Sequence, residues 1–156
     1  MEEKVQRAQI HGHRGDDTPG SPEMMGVIDA SALIRLYIPD GPMPKGFEAF
    51  LRGVERGNNV ALAPELLLVE CANVLNRKRI IDEISETESM QLLTDILSMP
   101  IRYFPHGPLI STAFGLAKEH GLTVYDAVYL ALALDHGAVF FSADKNLQKI
   151  AEKLSL

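Results

Sequence analysis

The feature that most constrains the fold is an alternation. Short apolar runs, "GVID", "NVALAP", "IRYFP" and "AVFFS", are separated by longer segments with helical periodicity. Strands spaced by helices imply a mostly parallel sheet with helices on both faces, because a parallel pair needs a crossover connection. We therefore expect a three-layer α/β/α domain with a central sheet of four to five strands. The chain of 156 residues suits one such domain, long enough to bury a core without disulfide or metal staples.

Local signals place the elements. A helix through "SALIRLYI" stops at Pro39, a second covers "GFEAFLRGVERG", and Pro64 suits the first turn of a third, "PELLLVECANVLNRKR". There Leu67, Glu70, Cys71 and Val74 recur at helical spacing. Ser85 and Glu88 form a capping box for the next helix. "LAKEHG" and "ALDHG" both place a histidine before a glycine, so His120 and His136 read as helix-stop residues rather than bases. "DKNLQKIAEKL" is a closing helix.

Residues 1–25 lack apolar periodicity and read as a flexible tail ahead of a domain over 26–156. His11 and His13, in a glycine-rich stretch, read as solvated. Met24 and Met25 sit just before the first strand and are candidates for an alternative translation start. No apolar run approaches the ~20 residues that span a bilayer, and the N-terminus has no apolar signal segment. The expected location is cytoplasmic, with no membrane partner. The one cysteine, Cys71, excludes an intramolecular disulfide and zinc-thiolate clusters.

In a parallel sheet, sites collect at the carboxyl ends of the strands. Four acids fall there. Asp29 follows the first strand, Asp126 opens the helix "YDAVYLALALDHG", and Asp144 follows "AVFFSA". Glu70 lies on or beside the apolar stripe of the third helix, where an acid needs a partner; Arg77 lies nearly two turns away on a similar face. Each of the other three has a plain structural role as an N-cap or first-turn acid, with Ser31 and Ser142 as competing caps. Carboxylates with no thiolate or histidine pair select hard divalent cations, Mg²⁺ or Mn²⁺. Such ions hold phosphate oxygens and lower the pKa of water, which points to phosphodiester chemistry.

The blocks "VIDASALI", "APELLLVECANVL", "HGLTVYDAVYLALA" and "FSADKNL" resemble the four signature blocks of PIN-domain proteins, most closely the VapC-type toxins of toxin–antitoxin pairs. They occur in family order over roughly residues 26–153. The resemblance implies a Mg²⁺- or Mn²⁺-dependent endoribonuclease, held inactive by an antitoxin and commonly a homodimer. It makes Asp29, Glu70, Asp126 and Asp144 the catalytic and metal-binding quartet. Ser31 matches the small polar residue after the first acid, Asn73 a polar position one turn beyond the glutamate, and Ser142 a position often held by threonine.

The net charge of −6 looks unsuited to RNA. From Gly26 onward the chain holds 16 acids against 12 bases, a net of −4, so the quartet alone accounts for the excess. Arg77, Lys78, Arg79, Lys145 and Lys149 are then candidate phosphate contacts, though each also reads as a solvated helix face. Two other readings stay open. One is a catalytically silent PIN-fold binding scaffold. The other is an aspartate-based phosphatase, disfavoured because Ser31 stands where a second aspartate is needed. No GxGxxG follows the first strand, which disfavours a dinucleotide-binding enzyme.

Overall fold

The first strand begins earlier than its apolar run suggests. The computed structural model describes residues 24–156; the expected tail up to Glu23, with His11 and His13, lies outside the described residues. β1 (Met24–Ile28) pairs in parallel with β2 (Asn59–Pro64), Met24 opposite Asn59 and Met25 opposite Val60. Both methionines therefore belong to the sheet, and the domain starts before Gly26. A strand extends as far as its neighbour offers ladder partners, and hydrophobicity does not mark that limit.

β3 (Ile101–Phe104) pairs with β2, and β4 (Val139–Phe141) with β1. The strand order is β3-β2-β1-β4, with every pairing parallel. Between β1 and β2 lie α1 (Ala30–Tyr37) and α2 (Phe47–Glu55); between β2 and β3 lie α3 (Leu66–Ile80) and α4 (Glu86–Leu97). A 3-10 turn at Gly107–Leu109 leads into α5 (Ile110–His120) and α6 (Val124–His136), and α7 (Lys145–Lys153) follows β4. The chain steps from β1 to β3 in one direction, then returns past β1 to β4. Right-handed crossovers put α1 to α4 on one face and α5 and α6 on the other. The result is the expected α/β/α sandwich, with four strands.

Packing follows from composition. Every residue of α6 from Ala127 to Ala133 is buried, and the helix lies against β1, β2 and β4. A helix apolar around its girth belongs in the interior. Over β1 and β4, Phe141 packs against Phe47 and Phe50 with ring centroids 5.3 and 4.8 Å away. Gly26 makes that cluster possible, since a Cβ there would stand 2.6 Å from Phe50 Cζ. Cys71 is fully buried in the core, and burial pushes its thiol up to about 12.

The helix ends agree with the sequence reading in most places. Gly121 and Gly137 close α5 and α6 in the left-handed region, at φ of 65° and 56°. The Ser85 and Glu88 capping box is present on α4. Pro64 departs from expectation: it ends β2 opposite Phe104, and α3 starts two residues later. Among the described residues, no helix is long and apolar enough to cross a membrane.

Candidate active site

The strand order reverses between β1 and β4, so the carboxyl end of that pair is the switch point at which open α/β sheets build sites. Asp29 and Asp144 lie just beyond these two strands. Asp29 N–H donates to Phe141 O at 3.1 Å, extending the ladder to the acid itself. Its carboxylate caps α1, Oδ1 accepting from Ala32 N–H at 2.9 Å. Ser31 is therefore not the cap. Its hydroxyl donates to Asp29 Oδ1 at 2.6 Å and accepts from Ala143 N–H at 2.9 Å.

The last acid is held in the same way. Asp144 Oδ1 caps α7, accepting from Asn146 N–H at 2.8 Å and Leu147 N–H at 3.0 Å. Ser142, fully buried, does not displace it as a cap; its Oγ accepts from Asp144 N–H at 3.0 Å and lies 3.3 Å from Ser31 Oγ. Gln148 Nε2 donates to the Ser142 carbonyl. The two serines thus tie Asp29 and Asp144 into one network across adjacent strands.

Asp126 and Glu70 come from opposite faces of the sheet. Asp126 is a first-turn acid of α6, not its cap; Thr123 Oγ1 accepts from Asp126 N–H at 3.2 Å. Its carboxylate has no capping duty. Glu70, in the second turn of α3, accepts from Tyr129 Oη at 2.8 Å, and Tyr129 is only 2% exposed. Arg77 is not its partner. Among the described residues, no lysine, arginine or histidine lies within ion-pair distance of any of the four acids.

Electrostatics link them. Burial raises the Asp29 pKa above the ordinary value, against the pull of Ser142, Ser31 and the Ala32 amide, and the Asp126 charge raises it further. Glu70 is also raised, by burial and by the charges of Asp126 and Asp29, while Tyr129 lowers it. Burial and the Asp144 charge raise Asp126, opposed by Thr123. Asp29, Glu70 and Asp126 therefore repel one another, and Asp144 repels Asp126. Among the described residues, no three His, Cys, Asp or Glu side chains are gathered tightly enough to grip a metal ion as they stand. The donor set nonetheless fits a hard divalent cation: carboxylates only, with no basic side chain among the described residues neutralising them.

The other candidates divide. Asn73 is exposed one turn beyond Glu70. Lys145 and Lys149 are exposed on α7, the helix capped by Asp144. Arg77, Lys78 and Arg79 lie in the last turns of α3, about 10 Å along the helix from Glu70. There Lys78 pairs with Glu83 at 2.7 Å and Arg79 donates to Asn76 at 2.9 Å. His136 packs edge-on against Phe104, with ring centroids 4.6 Å apart, consistent with its reading as a helix stop. Sequence reasoning missed three residues: Tyr129, Thr123 and His106. His106 Nε2 accepts the Leu66 N–H at 2.9 Å, capping α3 where Glu65 does not. The signal for Tyr129 was available, because a phenol on an all-apolar helix and an acid on an apolar stripe each need a polar partner.

The PIN-domain family profile matches residues 26–153, which include all four acids. The chain belongs to the PIN-domain family. Ribonuclease VapC3 of Pyrobaculum aerophilum is 30% identical over 123 residues, covering 78% of this chain and 90% of that one. Ribonuclease VapC1 of Mycobacterium tuberculosis is 33% identical over 123 residues, covering 78% and 86%. The crystal structure of Mycobacterium tuberculosis VapC20, a sarcin-ricin loop cleaving toxin, superposes with a TM-score of 0.58 at 15% identity, covering 80% of this chain and 94% of that one. At that identity the likeness shows the PIN fold.

Proposed function

We propose that this PIN-domain chain is a Mg²⁺- or Mn²⁺-dependent endoribonuclease acting in the cytoplasm as the toxin of a toxin–antitoxin pair. The observation that carries the reading is a chain of electrostatically coupled carboxylates, Asp29 and Asp144 at the sheet's switch point with Glu70 and Asp126 from the flanking helices, without a basic partner among the described residues, in a protein whose relatives are named ribonucleases. Bound by Asp29, Glu70, Asp126 and Asp144, the divalent cation would offset the charge of a phosphodiester and increase the acidity of water. The chain's own residues prepare that site. Ser31 holds the Asp29 carboxylate, Ser142 holds the Asp144 backbone, and Tyr129 fixes Glu70 from the opposite face. Lys145 and Lys149 stand nearest in sequence to Asp144 and suit phosphate approach.

The test is incubation with mixed RNAs in Mg²⁺, Mn²⁺ or EDTA, with Asp126→Asn beside the natural chain. Cleavage should need the cation and disappear in the variant while the fold persists. Equal cleavage by both proteins in EDTA would contradict the reading. Metal binding without any cleavage would favour the silent scaffold. The phosphatase alternative is weakened by Ser31, which is committed to Asp29 and Ala143.

The partners in this reading are RNA, an antitoxin and a second copy of the chain. An acidic cleft attracts arginine, because guanidinium pairs with carboxylate bidentately. An antitoxin arginine competing with the cation would be weakened by Asp29→Asn or Asp144→Asn. Unchanged antitoxin binding would place inhibition on another surface.

A further inference from the structure

The edge that carries the four acids also carries a small cleft with no charged wall. Leu66 at the start of α3, His106, Ile110 at the start of α5, and Val124, Tyr125 and Val128 of α6 enclose about 110 Å³. Tyr125 immediately precedes Asp126, and Leu66 lies one turn before Glu70. Two of the helices that line the cleft therefore also carry an acid of the site. Its size admits a single planar ring system, being only a few times the ~30 Å³ share of one water molecule.

Two of its walls are rings with polar atoms, Tyr125 and His106. Tyr125 is 66% exposed, so its ring is presented to solvent. His106 Nε2 accepts the Leu66 N–H, so that nitrogen keeps its lone pair and the proton of the neutral ring is on Nδ1. Among the described residues, the His106 ring makes no other hydrogen bond; its carbonyl accepts from Leu109 N–H at 2.8 Å. The lining thus includes an aromatic face and a histidine whose Nδ1–H has no acceptor among the described residues.

Charge selects the occupant. No acid, lysine or arginine lines the cleft to pair with a phosphate or a charged side chain, whereas a nucleobase is neutral and carries both a stacking face and edge acceptors. The other clefts lack this character: the one between α1, α2 and α4 is walled by Glu48, Glu55 and Asp95, and the one at the end of α3 by Arg77, Lys78 and Glu83. We infer that the cleft at Tyr125 and His106 is a nucleobase subsite, where a base flanking the cut bond stacks on Tyr125 and accepts a hydrogen bond from His106 Nδ1–H. The inference rests on the ribonuclease reading and names the part of the RNA that this edge holds. Stacking tolerates every base, and the histidine donor favours those presenting an acceptor to it.

The test uses the full chain and two readouts. In the first, an RNA that it cleaves is made with one abasic nucleotide at each position in turn, and KM is measured for the natural chain, Tyr125→Leu and Tyr125→Phe. Tyr125→Leu should raise KM for intact RNA about 5- to 100-fold with kcat nearly unchanged. Tyr125→Phe, which keeps the ring, should stay within about 2-fold of the natural chain. One abasic position beside the cut should be harmful in the natural chain and nearly neutral in Tyr125→Leu. In the second readout, side-chain NMR signals of Tyr125 and His106 are followed in EDTA while adenosine or uridine is added. They should shift, and in Tyr125→Leu the His106 signal should not. Cleavage with unchanged KM in Tyr125→Leu and no nucleoside shifts would overturn the subsite and leave the ribonuclease reading standing. Nucleoside shifts in a chain that cleaves no RNA would support the subsite and overturn that reading instead. Loss of self-association in Tyr125→Leu, with KM and nucleoside shifts unchanged, would also overturn the subsite, by showing that Tyr125 serves an interface between copies.

Discussion

Tyr129 Oη donates to Glu70 Oε1 at 2.8 Å, joining α6 on one side of the sheet to α3 on the other. The bond answers two needs at once: a nearly buried phenol and a half-buried acid each require a polar partner. Tyr129→Phe should lower stability by about 1 kcal/mol, the net worth of such a bond at a partly exposed site. It should also raise the Mn²⁺ concentration needed for half-maximal cleavage. A double-mutant cycle with Glu70→Gln separates the two effects, and additive losses in the cycle would show that the residues act independently.

The raised carboxylates set a pH dependence. Asp29, Glu70 and Asp126 have folded-state pKa values above the ordinary 3.8 to 4.5, burial being the largest cause for each. The folded chain therefore binds these protons more tightly than the unfolded chain, and ionisation of the three acids works against folding. In EDTA, their contribution should become more favourable as pH falls from neutrality through the raised values, and be complete below the ordinary ones. Asn is a good N-cap, so Asp29→Asn keeps the cap while removing the charge. It should raise Tm at neutral pH in EDTA by roughly 2–4 °C and flatten the pH dependence. A lower Tm at neutral pH would mean that the charge stabilises the fold.

The start of β1 gives a sharper boundary test. A chain beginning at Met24 retains the whole β1–β2 register and should keep its Tm and metal-dependent cleavage. One beginning at Gly26 loses the pairs of Met24 with Asn59 and Met25 with Val60. It should lose about 1–2 kcal/mol by denaturant titration. Equal stability of the two truncated chains would show that those pairs contribute nothing.

How much was legible in the sequence depended on range. Strand and helix order, the glycine caps after His120 and His136 and the Ser85 capping box follow from signals within a few residues of each other. Asp29, Glu70, Asp126 and Asp144 stood out for the same reason: each is an acid at a junction or on an apolar stripe. What joins them was not legible. Tyr129 lies 59 residues from Glu70, Ala143 lies 112 from Ser31, and His106 lies 40 from the Leu66 amide it accepts. Such pairings are set by strand order and crossovers, which hydropathy does not encode. Pro64 shows the same limit, since pairing with β3 carries β2 past the point where a helix was expected to begin.

The central claim is that the carboxylates at the switch point, and no histidine pair, run the hydrolysis of RNA. Mass spectrometry of the fragment ends tests it most directly. Histidine acid–base chemistry uses the 2′-hydroxyl of the RNA as nucleophile and leaves a 2′,3′-cyclic phosphate. Attack by water in line needs no 2′-hydroxyl and expels the 3′-oxygen. The account predicts 5′-phosphate and 3′-hydroxyl ends, with one deoxyribose at the cut position tolerated apart from its effect on binding. Fragments ending in a 2′,3′-cyclic phosphate would contradict it.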